Sequence, residues 1–410
     1  MPLLKERLMS DENIFLSIHL VGSYIQNKEL LSPEERKELY FLKDVFNSNK
    51  INETIISVRS KLKKILNDEN EYFETKVYFK PKKIDENGNN VFRPLHTASL
   101  IEQIAMIAML QVLVYELDTK TGKLVPSELS RLLPSNFYGN RISFDGRHLF
   151  KPWQEQYQEY TAKANDILYT CSETFEYKYE VSLDLENFFP SINPQVLFLF
   201  ITKHLPLKFK ENEKETLRMI LKKLLIFKLS RLNSTEISWY LKCNNSITNE
   251  NPTNLKYAKG MPQGLPHTYF MANIFMLMVY ETYKTFFPGK MLFYVDDSVI
   301  FTNGIKGEMT LKTFAESVNS LNQSISSNER NLLNKDKDKE SDWILPQDYC
   351  YKIIDYGVQV HPAGTPNTKS VFSPVPDAKK YSGELYLKSL SRETSNMAFD
   401  ISTAFSDAEV

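Results

Sequence analysis

The sequence FYVDDSVIF, residues 293–301, places two adjacent aspartates between two runs of apolar and β-branched residues. Aspartate tolerates the backbone of a tight turn, whereas the flanking residue types favour strands. The pattern therefore predicts a β-hairpin with strands over 291–294 and 299–301 and a turn over 295–298. Because an isolated Asp-Asp pair is usually a solvated surface turn, its interpretation depends on two other stretches of the chain.

These two stretches precede the hairpin in the sequence. VSLDLENFFPSI, residues 181–192, is predicted to be a short strand that ends at Asp184, and KGMPQGLPHTYFMANI, residues 259–274, a Pro- and Gly-containing turn that leads into a buried helix. If one sheet holds both strands, the carboxylates of Asp184 and Asp296 can lie on either side of a small volume. Carboxylates are the hard ligands that Mg²⁺ prefers, and two Mg²⁺ ions about 4 Å apart stabilise the attacking and leaving oxygens of a phosphoryl transfer.

The ordered set of three stretches resembles the reverse transcriptases. Asp184 matches the first catalytic motif of their palm, PQG at 262–264 matches the second, and YVDD at 294–297 matches the YxDD motif. The resemblance implies an α+β protein with the right-hand polymerase fold, in which fingers precede an antiparallel palm sheet backed by helices. It also implies an enzyme, an RNA-directed DNA polymerase and therefore a nucleotidyltransferase.

The resemblance assigns roles to the acidic motifs residue by residue. Asp184 and Asp296 would be the principal ligands of two Mg²⁺ ions, for which Mn²⁺ is an alternative. Asp297 would be the second acid of the catalytic box, in addition to supporting the turn. Leu185 would offer its backbone carbonyl to a metal ion. Tyr294 would contact the end of the primer.

A second set of residues would bind the nucleotide. Phe189 stands where this family places an aromatic steric gate, whose ring collides with a ribose 2′-hydroxyl; ordinary core packing is the alternative. Gln263 and Gly264 would line the nucleotide pocket. Lys369, within NTKS at 367–370, resembles a later palm motif with a lysine near the triphosphate.

Residues 73–95 are predicted to form a basic β-hairpin, because strand-like segments flank the turn signal Asn87-Gly88. The segment resembles the fingers hairpin whose cations hold the incoming triphosphate. Arg93 is the favoured cation, since a planar guanidinium binds phosphate through two parallel hydrogen bonds. Lys80 and Lys82 are alternatives, and solvated lysines without a ligand are the competing interpretation.

Several features of the sequence resemble the bacterial abortive-infection and defence-associated reverse transcriptases in particular. These features are the helical lead-in, the YVDD box, Leu265-Pro266 after PQG and the absence of a mobility domain after the palm. Members of this branch make DNA that arrests phage, either by copying a partner non-coding RNA or by template-independent or protein-primed synthesis. The resemblance therefore implies dNTP substrates, a dedicated non-coding RNA as template, a DNA product, and a homo-oligomer or a partner defence protein.

Three alternatives remain open from the sequence. A retron-like reverse transcriptase is the nearest, although the thumb sequence of those enzymes is not visible. A non-catalytic RNA-binding scaffold is less favoured, because a dead site has no need to hold like charges together. An RNA-templated RNA polymerase is disfavoured by Phe189.

The sequence pattern divides the chain into four regions. A helical N-terminal region covers 1–70, and the fingers cover 71–175. The palm covers 176–375 with a helical insertion at about 194–255, and the start of a thumb, or a C-terminal helical region, covers 376–410.

Composition limits the class of protein further. With 42% hydrophobic and 25% charged residues the chain is globular, and a net charge of −1 means that any nucleic-acid surface must come from segregated cations. The basic run at 203–231 is interpreted as a solvated helix face, with a nucleic-acid track as the alternative. Three dispersed cysteines predict neither a disulfide framework nor a zinc site. The N-terminus lacks a signal peptide and the apolar segment 98–117 contains charged and polar residues, so no membrane association is expected and a cytoplasmic location fits. The resemblance to the defence-associated branch implies a bacterial host.

Overall fold

A computed structural model describes residues 4–26, 33–47, 50–84, 88, 90–118, 120–183, 188–204, 210–243, 255–284, 289–303, 371–375, 377, 383, 385–387 and 389–391 of the protein. These residues form helices and three β-sheets. The described helices are α1 (Leu4–Met9), α2 (Asp11–Gln26), α3 (Pro33–Asn47), α4 (Ile51–Asn67), α5 (Leu100–Val114), α6 (Glu128–Arg131), α7 (Trp153–Thr174), α8 (Phe188–Ser191), α9 (Pro194–Lys203), α10 (Glu211–Leu225), α11 (Ser234–Cys243) and α12 (Thr268–Tyr283). The strands are β1 (Phe73–Ile84), β2 (Asn90–Thr97), β3 (Tyr115–Leu117), β4 (Leu124–Pro126), β5 (Phe137–Tyr138), β6 (Tyr179–Leu183), β7 (Phe227–Leu229), β8 (Lys290–Tyr294), β9 (Asp297–Thr302) and β10 (Val371–Pro374). The predicted α+β class is confirmed.

Helix α5 is the centre around which the N-terminal helices pack. All but one of its residues are buried, as a helix that is apolar on every side requires. Its polar positions are paired: Lys61 Nζ lies 2.8 Å from Glu102 Oε1, and Gln103 Nε2 donates to the Ala98 carbonyl at 2.8 Å. None of the helices in the described part of the chain has the length and apolar character that a membrane span requires.

A five-stranded sheet with the order β10-β6-β9-β8-β5 carries the aspartate hairpin. Neighbouring strands are antiparallel except β5 and β8, which are parallel. Side chains alternate between the two faces: Leu292, Val299 and Phe301 pack in the cluster that contains α7 residues, and Phe293 and Ile300 pack in the main core. Because both faces are covered, the strands leading to the tip are held on both sides.

A three-stranded sheet, β2-β1-β7, contains the predicted basic hairpin. Strands β1 and β2 pair antiparallel from Lys76–Thr97 to Ile84–Asn90, with an irregularity between Pro81 and Lys83. Strand β7 pairs parallel to the first residues of β1. The base of the basic hairpin is therefore inside the sheet, whereas its outer part is a two-stranded ribbon.

Two sequence interpretations need correction. The polar and glycine-containing sequence SNFYGNRISFDG, residues 135–146, predicts a connection between helices, but it contributes β5 to the five-stranded sheet. A two-residue strand is too short to show an alternating pattern. The basic run at 203–231 is not simply a solvated face, because Lys223 is buried and its Nζ donates to the carbonyls of Asp68, Glu69 and Glu71 at 2.8, 2.9 and 2.6 Å. Burial lowers the pKa of Lys223 to about 8.

Several expectations concern residues outside the described ranges. They are the predicted metal ligand Asp184, the neighbouring Leu185 and Lys369, which is predicted to lie near the triphosphate. These remain predictions. Residues 383, 385–387 and 389–391 are helical, and the division into a thumb or C-terminal helical region over 376–410 remains a prediction.

Candidate active site

The aspartate hairpin, hereafter the YVDD hairpin, consists of β8, β9 and the two-residue turn Val295–Asp296 between them. The predicted four-residue turn is too long, because Asp297 already pairs with Tyr294 and belongs to β9. Val295 has φ of +57°, a conformation that a β-branched residue rarely adopts and that costs about 1–3 kcal/mol. Its side chain is buried, so surrounding packing holds this turn in place.

Gly139 lies directly under the tip of the YVDD hairpin. With φ of +73°, it would place an added Cβ 3.1 Å from Val295 Cγ2 and 3.2 Å from the Tyr294 ring. Asn273 of α12 donates from Nδ2 to the Gly139 carbonyl at 2.9 Å, and Asn136 donates to the Met291 carbonyl of β8, also at 2.9 Å. The backbone around β5 thus forms the support on which the tip rests.

Tyr294 packs against helix α7. Its ring centroid lies 5.1 Å from that of Tyr157 and 5.7 Å from that of Tyr160. Burial, reinforced by Tyr157 and Asp297, raises the pKa of Tyr294, so its phenol is neutral at physiological pH. The expected contact of Tyr294 with a primer remains a prediction.

The two carboxylates of the tip differ in exposure, Asp296 being partly exposed and Asp297 exposed. Strand β6 ends at Leu183, which pairs with Ser298, the residue next to Asp297. Among the described residues, no group of three or more His, Cys, Asp and Glu side chains could hold a metal ion. The tip nevertheless supplies two adjacent carboxylates, the donor chemistry that Mg²⁺ prefers.

Phe189 lies in the short helix α8 and is buried. Its ring centroid lies 5.7 Å from that of Tyr269, at nearly right angles. Its carbonyl accepts from the Met261 amide at 2.9 Å, and Gly260, with φ of +61°, packs so closely that a Cβ would lie 2.6 Å from this oxygen. The structure therefore brings Phe189 together with the segment that precedes PQG.

Gln263 and Gly264 form a turn against the end of β2. The His96 amide donates to the Gln263 carbonyl at 2.8 Å. Gly264 has φ of +108°, and a Cβ there would lie 2.5 Å from the His96 carbonyl oxygen, so glycine is required. The Tyr24 hydroxyl donates to the Gly264 carbonyl at 2.7 Å.

The imidazole of His96 reinforces this junction. Its Nδ1 lies 3.4 Å from the Gln263 carbonyl, and its Nε2 lies 3.3 Å from the Tyr240 hydroxyl, which itself accepts from the Lys259 amide. A neutral ring with its proton on Nδ1 fits this pattern, because the Tyr240 hydroxyl can then donate to Nε2. Burial lowers the pKa of His96 to about 4, which keeps the ring neutral at physiological pH.

The cations of the basic hairpin share a face with Tyr78. Lys80 and Arg93 are direct cross-strand partners, and Tyr78 lies two residues from Lys80 on the same face. Burial raises the pKa of Tyr78, and the neighbouring Glu35 and Tyr269 raise it further. Since Tyr269 contacts Phe189, this face continues toward the predicted nucleotide pocket. Lys82, at the irregularity, is exposed.

The expected site residues that the structure describes lie in two groups, one at the PQG turn and one at the tip of the YVDD hairpin. Phe189 accepts a hydrogen bond from Met261, which directly precedes the PQG segment that contains Gln263 and Gly264. Lys80 and Arg93 share a strand face with Tyr78, whose pKa is raised by burial, Glu35 and Tyr269. Helix α12 begins shortly after the PQG turn, and its Asn273 donates to the carbonyl of Gly139 beneath the YVDD tip. Sequence reasoning missed four supporting residues, namely Tyr24, His96, Gly139 and Tyr269. Of these, Gly139 and Tyr269 had a local signal, since one is a glycine in a polar segment and the other follows PQG.

Comparison with known families supports the interpretation of this site. Residues 140–340 match the family model for the reverse transcriptase (RNA-dependent DNA polymerase), a region that includes Phe189, PQG and the YVDD hairpin. The match indicates RNA-directed DNA polymerase activity, and such a domain implies a nucleic-acid template and dNTP substrates. Reverse transcriptase domains in general use divalent metal ions. A search of the curated proteins returns no match to this chain.

Proposed function

We propose, from the premise that residues 140–340 form a reverse transcriptase domain, that the chain is a DNA polymerase of bacterial antiphage defence. The observation that carries the polymerase function is the assembly of Phe189, the PQG turn and the YVDD hairpin around helix α12. The defence role depends on the sequence resemblance alone. The protein would act in the cytoplasm and copy a dedicated non-coding RNA. It would work either as a homo-oligomer or together with a partner defence protein.

Asp184 and Asp296 would hold two Mg²⁺ ions, with the Leu185 carbonyl as an additional ligand and Asp297 as the second acid. When bound, the ions would supply charge stabilisation to the attacking and leaving oxygens. The protein's own contribution is to fix the carboxylates. The two-residue turn and its Gly139 support are suited to this, because a strained turn persists only where its surroundings determine it.

The basic hairpin would bind the triphosphate of the incoming nucleotide. Lys80 and Arg93 lie directly opposite each other on the two strands, so both cations can contact the same anion. Arg93 would make the bidentate contact, with Lys80 or Lys82 as a second cation. Lys369 is a further candidate from the sequence.

Phe189 would select deoxyribonucleotides. Its ring is fixed by Tyr269 and its backbone by Met261 and Gly260, so it has little freedom to move away from a ribose 2′-hydroxyl. Gln263 and Gly264 would form the neighbouring wall of the pocket, and Tyr294 would contact the primer end.

The experiment that tests this function begins with the protein purified from a bacterial host together with any nucleic acid that it carries. Mg²⁺ and dNTPs are then supplied singly and together, and the products are sequenced. A defined cDNA complementary to one bound RNA is the expected result. A homopolymer made without RNA, or DNA attached to the protein, would replace it with template-independent or protein-primed synthesis by the same site. No incorporation with any dNTP would contradict the polymerase function and favour an RNA-binding scaffold.

A further inference from the structure

Tyr24 of helix α2 reaches the PQG turn from a part of the chain that precedes the reverse transcriptase match at 140–340. Its side chain is buried, and its hydroxyl donates to the Gly264 carbonyl at 2.7 Å. Burial raises the pKa of Tyr24 well above its usual range, so the phenol stays protonated and remains a donor. The N-terminal helices are thus bonded directly to the predicted nucleotide pocket.

The turn that receives this hydrogen bond is held at two successive residues. The His96 amide donates to the Gln263 carbonyl, and the His96 carbonyl leaves no room for a Cβ on Gly264. The hydroxyl of Tyr24 donates to the next carbonyl along the chain, that of Gly264. Two successive carbonyl groups of the turn therefore have fixed directions, which also fixes the path of the backbone that would face a nucleotide.

A series of ring contacts connects Tyr24 to the same pocket by a second path. The ring centroids of Tyr24 and Phe150 lie 6.4 Å apart, those of Phe150 and Tyr269 6.3 Å, and those of Tyr269 and Phe189 5.7 Å. All three pairs meet edge to face, an arrangement that aromatic rings prefer. The ring of Tyr24 therefore supports the wall behind the proposed steric gate, and its hydroxyl supports the PQG turn.

We propose that Tyr24 is a positioning residue for the incoming nucleotide, which it does not touch, and that helix α2 is a structural part of the nucleotide pocket. This inference rests on the proposed polymerase function. A neutral buried hydrogen bond contributes on the order of 1 kcal/mol, about a 5-fold change in an equilibrium constant. The effect should fall on nucleotide affinity, because the hydrogen bond orients the wall of the pocket and involves neither aspartate of the YVDD hairpin.

The test is Tyr24→Phe, which removes the hydroxyl and keeps the ring. Tyr115→Phe is the matched control, because the Tyr115 hydroxyl is also buried and also donates to a backbone carbonyl, that of Ser143, at 2.6 Å. Steady-state incorporation should show a KM for dNTPs that is about 5-fold higher in Tyr24→Phe with kcat nearly unchanged, and no change of KM in Tyr115→Phe. A KM equal to that of the wild type, or an equal rise in both variants, would overturn the inference.

A binding measurement on the same samples separates this inference from the polymerase function. The rise in melting temperature on adding dNTP and Mg²⁺ should be smaller for Tyr24→Phe than for the wild type and for Tyr115→Phe. If the wild type binds dNTPs without incorporating them, the proposed function fails and this shift still decides the role of Tyr24; equal shifts would reject it. Should Tyr24→Phe fail to fold, Phe150→Leu, which removes the ring beside Tyr24, should also raise KM, and an unchanged KM would reject the role.

Discussion

The YVDD hairpin and the basic hairpin are both antiparallel strand pairs, but the protein holds them in different ways. The strands of the YVDD hairpin are buried on both faces, and the two-residue turn at the tip adopts a strained conformation over Gly139. The outer basic hairpin is half-buried or exposed, and its register is interrupted beside Pro81. Its base is fixed through His96 and the PQG turn, and α11 packs on its middle, where the ring centroid of Trp239 lies 4.8 Å from that of Phe92.

This difference corresponds to two physical requirements. Metal ligands must keep their geometry within fractions of an ångström, which a covered sheet and a short turn provide. A cation that captures a triphosphate must be accessible, and segments with few buried contacts open at low free-energy cost. We therefore expect changes at the YVDD hairpin to act on the rate of chemistry and changes at the basic hairpin to act on nucleotide affinity.

Asp296→Asn should have the largest effect, because it removes charge where a metal ion would bind while keeping the shape of the turn. Incorporation should fall by on the order of 10³-fold or more, with the melting temperature nearly unchanged. Asp166→Asn is the control, since Asp166 is an exposed acid of α7 that pairs with Lys163. Single-nucleotide incorporation measures the effect, and retained activity in Asp296→Asn would refute the assignment of the site.

Gly139→Ala should lower kcat by about 10-fold by moving the tip, since its Cβ would press on Val295 and Tyr294. Gly146→Ala is the control for backbone strain, because Gly146 has a similar φ of +71° but an added Cβ there would meet no atom within 4 Å. Both substitutions should cost about 1–2 kcal/mol of stability through positive φ, which chemical denaturation measures. Equal kcat values in the two variants would show that the support under the tip has no influence on chemistry.

The sequence predicted the features that depend on local pattern. Turn residues flanked by strand-forming residues revealed both hairpins. The apolar segment 98–117 contains the buried helix α5. It could not predict contacts between distant segments, such as the one from Tyr24 to Gly264, because no local pattern encodes them. It also misjudged Lys223, because a lysine that binds three carbonyls has the same local sequence as a solvated one.

Arg93→Ala should raise the KM for dNTPs by about 10-fold and leave kcat nearly unchanged, which would sharpen the contrast between the two hairpins. A lost hydrogen bond to a charged group costs about 1.5–3 kcal/mol, and the half-exposed position places Arg93 at the lower end. Lys80→Ala and Lys82→Ala, assayed in parallel, identify the second cation. Arg131→Ala, at an exposed position of α6, is the control. A fall in kcat with unchanged KM in Arg93→Ala would contradict the separation of roles.

Titration of His96, at the base of the basic hairpin, should have the smallest effect on incorporation at neutral pH. It should nevertheless change the stability of the protein measurably. Burial holds the pKa of His96 near 4, below its ordinary value of 6.5, so between these values the unfolded chain binds a proton that the folded protein does not. Stability should therefore fall as pH decreases from 6.5 to 4, by about 1.4 kcal/mol per pH unit for this residue. His267, whose pKa burial lowers to about 3, should add a similar slope. Urea unfolding at several pH values should show a shallower dependence in His96→Gln than in the wild type. An unchanged slope would mean that His96 is not held neutral at the PQG turn, and the base of the basic hairpin would then be anchored by backbone hydrogen bonds alone.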